Sequence, residues 1–194
     1  VLQYAGKHIE QFENGAVKRI HGWQDLTLHR FPGLGSRLLA NVDVPDMDIF
    51  PARYGAHTVK FQAGAGLKMG TFANFCAASL ARFGLVASGS VCADWLHKVG
   101  KRFEWLGDKK SLMYIKIAGT GIDGLTYRHR REIEAWDDKG PTIPASGSVA
   151  LARMHMAGVA VAAGARPCVG VIPMETYLGA IGEPAIVTRD RTGS

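Results

Sequence analysis

The sequence has few cysteines and no long hydrophobic run, and both absences limit what the protein can be. Its three cysteines, Cys76, Cys92 and Cys168, are widely spaced and include no C-x-x-C pair. This pattern favours reduced thiols in a cytoplasmic protein over a disulfide framework. No run of about 18 apolar residues occurs, so no segment is predicted to span a membrane. An initiator Met and a signal-peptide pattern are also missing, and we expect the chain to be part of a longer polypeptide.

The composition is that of a globular domain with an excess of positive charge. The 194 residues are 47% hydrophobic and 21% charged, which excludes a disordered tail. A net charge of +6 favours acidic partners, whether carboxylates, phosphates, nucleic acid or an anionic surface. Apart from Arg128, Arg130 and Arg131, however, the basic residues are scattered rather than arranged in a stripe. We therefore expect neither a nucleic-acid partner nor a membrane partner.

Turn-forming and periodic residues predict strands first, then helices, then more strands and a last helix. A hairpin is expected over residues 9–20, because Asn14-Gly15 supplies the backbone conformation of a tight turn. Further strands are predicted over residues 23–31, 38–42, 57–63, 112–118, 125–136 and 185–188, with turns at residues 43–46 and a loop over residues 141–148. Helices are predicted over residues 71–83, 91–106, 149–163 and 175–181.

The predicted helix ends and the order of elements define the expected fold. Gly84 and Gly164 would end the first and third helices, and Ser88 or Ser90 would cap the second. The third helix is apolar nearly all round, so we expect it to be buried on most sides. The order predicts an α+β fold, with a mixed or antiparallel sheet covered on one face by helices. Since no repeat or linker is evident, residues 1–194 are expected to form one domain.

One glycine motif resembles a nucleotide-binding fingerprint, but its surroundings predict a turn. Residues 119–124 match G-x-G-x-x-G after a predicted strand. A dinucleotide fingerprint also needs a helix that opens at the last glycine. The alternating residues from Leu125 to Ile133 indicate a strand there instead, so the glycines are interpreted as a hairpin turn.

The histidines show no paired metal-ligand spacing, so no metal site is predicted. Among them His129 is the best candidate for contacting a substrate, because arginines surround it; the alternative is a surface histidine on a strand. Glu132 and Glu134 share the other face of that strand with Arg128 and Arg130, and cross-strand ion pairing accounts for them.

Two loops could bind an anion. Residues 32–37 end in Arg37, whose guanidinium could bind a carboxylate with two hydrogen bonds; a tight turn with a surface ion pair is the alternative. Residues 140–146 lead into a predicted helix, where the hydroxyls of Thr142 and Ser146 and the free N–H groups could bind an anion. Ordinary capping by Ser146 or Ser148 explains the same residues.

Taken in order, these loops and the segments between them resemble the saccharopine dehydrogenase-like family of NAD(P)-linked oxidoreductases. No single motif is diagnostic, but the ordered set covers nearly the whole chain. Its pieces are Phe31–Arg37, Asp43–Asp46, Val59–Gly64, Gly140–Pro144, Gly164–Gly170 and Pro173–Glu175.

The resemblance implies a two-part enzyme of which this chain is the second part. An N-terminal Rossmann domain would bind NAD or NADP, and a C-terminal α+β domain would cover the substrate and form a homodimer. We therefore expect no cofactor bound to this chain, and no activity from it alone. The implied reaction is the oxidation of a secondary amine that joins two amino-acid-like halves. Arg37 would pair with a substrate carboxylate, Thr142, Ser146 and His129 would contact the substrate, and no general acid or base is assigned.

Two alternatives remain open at this point. A related reductase could act on polyamine precursors or on lipid-like enoyl groups, since several apolar helices could line a lipid site. The fold could also serve as a free-standing ligand-binding or dimer-forming module without enzyme activity.

Overall fold

The computed structural model describes residues 4–87, 93–103, 105, 107, 109–159, 162–182 and 184–193. The chain divides into two compact units, Val1–Asp108 and Lys109–Ser194, called here the first and second units. Helices and three antiparallel sheets occur together, which confirms the predicted α+β class. The assignment of residues 1–194 to one substrate-binding and dimerisation domain stays a prediction.

The first unit begins with the predicted hairpin. Strand β1 (His8–Glu13) pairs antiparallel with β2 (Ala16–His21), and Glu13 faces Ala16 at the closed end. Asn14 and Gly15 between them have φ values of 54° and 80°. A two-residue turn with both residues at positive φ matches the natural twist of paired strands, which is why Asn-Gly forms it.

A three-stranded sheet follows in the order β3 (Thr27–Phe31), β4 (Gly35–Asn41) and β5 (Gln62–Ala63). One face of this sheet carries Ala40 and Ala63, and Ala40 joins Trp23, Val42 and Ala78 in the buried core of the unit. Side chains alternate along a strand. Arg37 and Asn41 are an odd number of residues from Ala40 in β4, so their side chains lie on the opposite face. The core on one side therefore leaves a polar face on the other.

Three helices belong to the first unit: α1 (Asp46–Tyr54), α2 (Lys68–Arg82) and α3 (Ala93–Arg102). Helix α2 buries the small side chains of Thr71, Ala77 and Ala78. It ends before Gly84, whose φ of +73° confirms the predicted stop. Helix α3 is shorter than predicted, and the caps expected at Ser88 or Ser90 lie outside the described residues.

Two predictions for the first unit were wrong in detail. Residues 43–46 were predicted as a turn alone, but helix α1 begins at Asp46 and buries Met47. The strand predicted over residues 57–63 is reduced to Gln62–Ala63, while Val59 forms only an isolated bridge with Phe12. A strand requires a partner along its length, and β4 reaches only its last two residues.

The second unit is built on a sheet in the order β6 (Ser111–Thr120), β7 (Thr126–Ala135) and β8 (Ile186–Gly193). Thr120 pairs with Thr126, and the Gly121 N–H donates to the Leu125 carbonyl at 2.8 Å. The G-x-G-x-x-G segment therefore closes a β-hairpin, which confirms the turn interpretation.

Helices α4 (Thr142–Met156) and α5 (Met174–Ile181) complete the second unit. Ile143 of α4 joins Ile133 and Ala135 of β7 in a buried cluster, with Tyr177 and Leu178 of α5 packed against it. The Tyr177 hydroxyl donates to the Ile143 carbonyl at 2.6 Å, and burial raises the pKa of this phenol. These contacts hold both helices on one face of the sheet.

The predicted loop over residues 141–148 was wrong, because α4 begins at Thr142. Pro144 fits into the first turn, where a backbone N–H has no intrahelical acceptor. The helix ends at Met156 rather than near Gly164, and Gly158 supplies the left-handed residue after it with φ +74°. The expected burial on most sides was also wrong, since Met156 is 86% exposed and Val149 is 42% exposed.

Candidate substrate-binding site

Arg37 lies within a strand rather than in a loop. The hairpin turn occupies residues 32–34, with Gly33 and Gly35 at φ values of 84° and 72°, and Arg37 is the third residue of β4. His29 of β3 faces it directly across the strand pair. Both side chains are half-buried. The glycines thus bring the two strands together, and the strand fixes the direction of the arginine.

Arg37 shares its side of the sheet with several hydrogen-bonding groups. We call this set the polar face of the first unit: strand alternation and register place on it Thr27, His29, Arg37, Asn41 and Gln62, beside the buried apolar side chains of Phe31 and Leu39. Arg37 is the one permanently charged member. The face therefore combines a guanidinium with a histidine, a hydroxyl and two amides.

Hydrogen bonds order the end of the polar face that carries Thr27, Asn41 and Gln62. The Asn41 amide donates to the Asp25 carboxylate at 2.6 Å, and the Gln62 amide donates to the Asn41 oxygen at 3.4 Å. The Thr27 hydroxyl donates to the Gln62 oxygen at 3.1 Å. This chain of contacts fixes the amide orientations before any ligand arrives. Sequence reasoning missed it, because Asp25, Asn41 and Gln62 become neighbours only when β5 joins the sheet.

His129 belongs to an ionic cluster in the second unit. Its Nε2 lies 3.4 Å from the Asp190 carboxylate, and its ring stacks at 6.3 Å on Tyr127. Hydrogen bonds from Arg131 lower the pKa of Asp190. The charges of Arg131 and His129 lower this pKa further. A carboxylate therefore fixes the position of the imidazole.

Thr142 and Ser146 come together in the first turn of α4. The Ser146 hydroxyl donates to the Thr142 carbonyl at 2.7 Å, and Ser146 is buried. Thr142 is half-buried, and its N–H donates to the Lys139 carbonyl at 3.0 Å. Pro141 precedes the helix without a side-chain cap, so the expected capping by Ser146 or Ser148 was wrong. Arg37 lies in the first unit and the other three candidates in the second, and their roles toward a substrate stay predictions.

The sequence did not indicate that two glutamates of β7 are buried. Glu132 and Glu134 are each only 1% exposed. Glu132 pairs with Arg130 on its own strand, and Glu134 accepts a hydrogen bond from Arg189 of β8 at 2.6 Å. The guanidinium of Arg130 also stacks 4.8 Å from the centre of the Tyr114 ring. Part of the predicted cross-strand pairing is therefore present, with Arg189 as the partner that the sequence pattern did not reveal.

The glycine motif does not form a dinucleotide cradle, and the described residues contain no group of metal ligands. The glycine motif at residues 119–124 forms a hairpin turn and opens no helix for a pyrophosphate. Among the described residues, no three His, Cys, Asp or Glu side chains are grouped as metal ligands. Cys76 and Cys168 are free and exposed, and Cys92 is outside the described residues. No helix in the described ranges is both long and apolar enough to cross a membrane.

No protein-family model matches the sequence, and no curated protein matches it either.

Proposed function

We propose that this chain is the substrate-binding and dimerisation domain of a saccharopine dehydrogenase-like oxidoreductase in the cytoplasm. The enzyme would transfer hydride between NAD(P) and a secondary amine or imine formed from amino-acid-like carboxylates. The single observation that carries the proposal is the polar face of the first unit, where Arg37 faces His29 across the strand pair and Thr27, Asn41 and Gln62 lie further along the same face.

The chemistry of the polar face suits a carboxylate. A guanidinium offers two parallel N–H donors that match the two oxygens of a carboxylate. His29 lies directly opposite and can donate a further hydrogen bond. The half-buried amide of Gln62 can contact the polar backbone of an amino-acid-like half, and the buried Asn41 orients that amide.

Two features of the second unit support the remaining parts of the proposal. Met113, Ile115 and Ile117 alternate along β6 and are each 45–50% exposed, as expected for a face that a second copy covers. The hairpin at residues 119–124 is compatible with nicotinamide binding by a separate Rossmann domain, which we propose as part of the full enzyme. His129, Thr142 and Ser146 are proposed as further substrate contacts, with the weight of the proposal on Arg37.

Calorimetric titration of the chain with saccharopine tests the proposal. Saccharopine carries three carboxylates and a secondary amine, and we expect measurable binding to the wild type. Arg37→Gln should weaken that binding by about 2–5 kcal/mol if the pair is desolvated. Arg19→Gln is the matched control, because Arg19 is an exposed strand arginine outside the polar face. Equal affinity of the wild type and Arg37→Gln would reject the assignment of Arg37.

Light scattering tests the dimer separately. The wild type should be a dimer, and Ile115→Lys should shift it toward the monomer because a charge would enter the interface. Val17→Lys changes an equally exposed valine on β2 and should leave the dimer intact. A wild-type monomer at high concentration would contradict the dimerisation role.

A further inference from the structure

Helix α2 presents its large apolar side chains to the solvent. Residues spaced three or four apart lie on one side of a helix, and on the exposed side of α2 this row consists of Met69, Phe72, Cys76 and Leu80, followed by Phe83. Phe83 is 74% exposed and Met69 is 67% exposed. The buried side of the helix carries only Thr71, Ala77 and Ala78. This is the reverse of a helix that packs in water, whose large apolar residues face the core.

Helix α3 of the same unit also exposes a large apolar side chain. Trp95 is 64% exposed, and Val99 lies one turn further along the same side. Lys98 and Arg102 form the adjacent row, three residues on from Trp95 and Val99. Leu85 and Trp105, in the segments that flank α3, are 71% and 78% exposed. A helix with a tryptophan on one side and basic residues beside it is typical of a peptide that lies in a membrane interface.

Basic residues outnumber acidic ones around this surface, where Asp94 in the first turn of α3 is the one acidic residue of the two helices. No acidic residue occurs between Asp48 and Asp94 in the sequence. Lys68 and Arg82 stand at the two ends of α2, and α3 ends with Lys101 and Arg102. Basic side chains beside exposed aromatic residues complement an anionic lipid surface, because their long stems cover apolar area while the charges reach the headgroups.

We propose that the apolar side of α2 and α3 binds the surface of a bilayer that contains anionic phospholipid. The large side chains of Phe72, Phe83 and Trp95 enter the boundary between headgroups and acyl chains. Lys98 and Arg102 contact the lipid phosphates. This interaction goes beyond the oxidoreductase role and differs from the sequence-based expectation of no membrane partner, which rested on the scattered basic residues. A helix at a membrane interface needs only an apolar side with basic residues beside it, and no spanning segment.

Co-sedimentation with vesicles tests the proposal. Wild-type chain is mixed with phosphatidylcholine vesicles and, in parallel, with vesicles that also contain phosphatidylglycerol. Binding to the second set should be about tenfold stronger and should fall as salt is raised. The tryptophan emission should shift to the blue on binding, since Trp95 and Trp105 move from water into the interface.

Two sets of variants separate the apolar and the charged contributions. Phe72→Ser, Phe83→Ser and Trp95→Ser together should abolish sedimentation, whereas Leu28→Ser, Val17→Ser and Tyr54→Ser, which alter comparably exposed residues elsewhere, should not. Lys98→Gln with Arg102→Gln should weaken binding about tenfold, and Lys7→Gln with Arg19→Gln should have little effect. All the changed side chains are exposed, and circular dichroism verifies the fold.

Three outcomes would overturn the proposal. The wild type could fail to sediment with anionic vesicles, or the apolar triple variant could bind as well as the wild type. In the third outcome, the wild type is a dimer that binds no vesicles and the triple variant is a monomer. That result would assign this surface to a second copy of the chain.

Discussion

Arg131 of β7 and Asp190 of β8 face each other in register, and the guanidinium donates two hydrogen bonds to the carboxylate, 2.6 and 2.9 Å long. This bidentate pair lowers the pKa of Asp190 and raises that of Arg131. The same carboxylate lies 3.4 Å from His129. One side chain of β8 therefore both pairs with β7 and orients the candidate histidine.

We expect Asp190→Asn to destabilise the second unit slightly and to do so in a salt-dependent way, because the pair is exposed to solvent. A double-mutant cycle with Arg131→Gln isolates the interaction by urea unfolding at low and high salt. The coupling should be favourable at low salt and smaller at high salt. A coupling that does not change with salt would contradict an exposed ion pair.

Glu13 predicts a pH-dependent contribution to stability. Hydrogen bonds from Lys18 and Lys60 lower its pKa from 4.5 to about 2. Because the folded pKa is below the unfolded one, the stabilisation is complete above pH 4.5 and is lost as the pH falls toward 2. The stability difference between the wild type and Glu13→Gln should be constant near neutral pH and shrink below 4.5. Glu10→Gln, which removes an exposed carboxylate without an ion pair, should show no comparable loss.

The buried Glu134 depends on Arg189 as its counter-ion. Glu134 is 1% exposed and accepts a hydrogen bond from Arg189. Arg189→Gln should lower the free energy of unfolding by about 3 kcal/mol, because a buried carboxylate would lose its compensating charge. Replacing both residues by methionine should recover most of that loss. Arg128→Gln, at an exposed position of β7, should be nearly neutral when unfolding is measured in urea.

Gly6 is required by both its backbone and its surroundings. Its φ is +75°, and a Cβ there would lie 2.2 Å from the Ala78 carbonyl oxygen. We expect Gly6→Ala to cost about 3 kcal/mol, since α2 would have to move. Gly15→Ala has the same backbone strain at φ +80° with no atom within 4 Å, so it should cost only about 1 kcal/mol. Equal losses in the two variants, measured by urea unfolding, would refute the steric argument.

Local turn chemistry made much of the fold predictable. Asn14-Gly15 and Gly124 made two hairpins predictable, because residues at positive φ select tight turns independently of the rest of the chain. Gly84 fixed the end of α2 for the same reason. The sequence identified Arg37 as a candidate ligand-binding residue. Gln62 reaches the polar face only because β5 pairs with β4, and no local sequence pattern predicts that pairing.

Proline occurs in the helical segments that the sequence did not predict, namely α1 and the part of α4 before residue 149. Pro51 lies inside α1, and Pro144 in the first turn of α4. Proline usually indicates a loop, yet at these positions packing of Met47 and Ile143 into the core outweighs its cost. The end of α4 at Met156 follows from Gly158, a signal that was present in the sequence but was assigned to Gly164 instead.

A crystal structure of the chain with saccharopine would locate the ligand on or away from Arg37. We expect a carboxylate of the ligand on the Arg37 guanidinium, with His29 beside it and the Gln62 amide further along the same face. Ligand bound elsewhere with Arg37 untouched, or no bound ligand at saturating concentration, would contradict the proposed substrate-binding role.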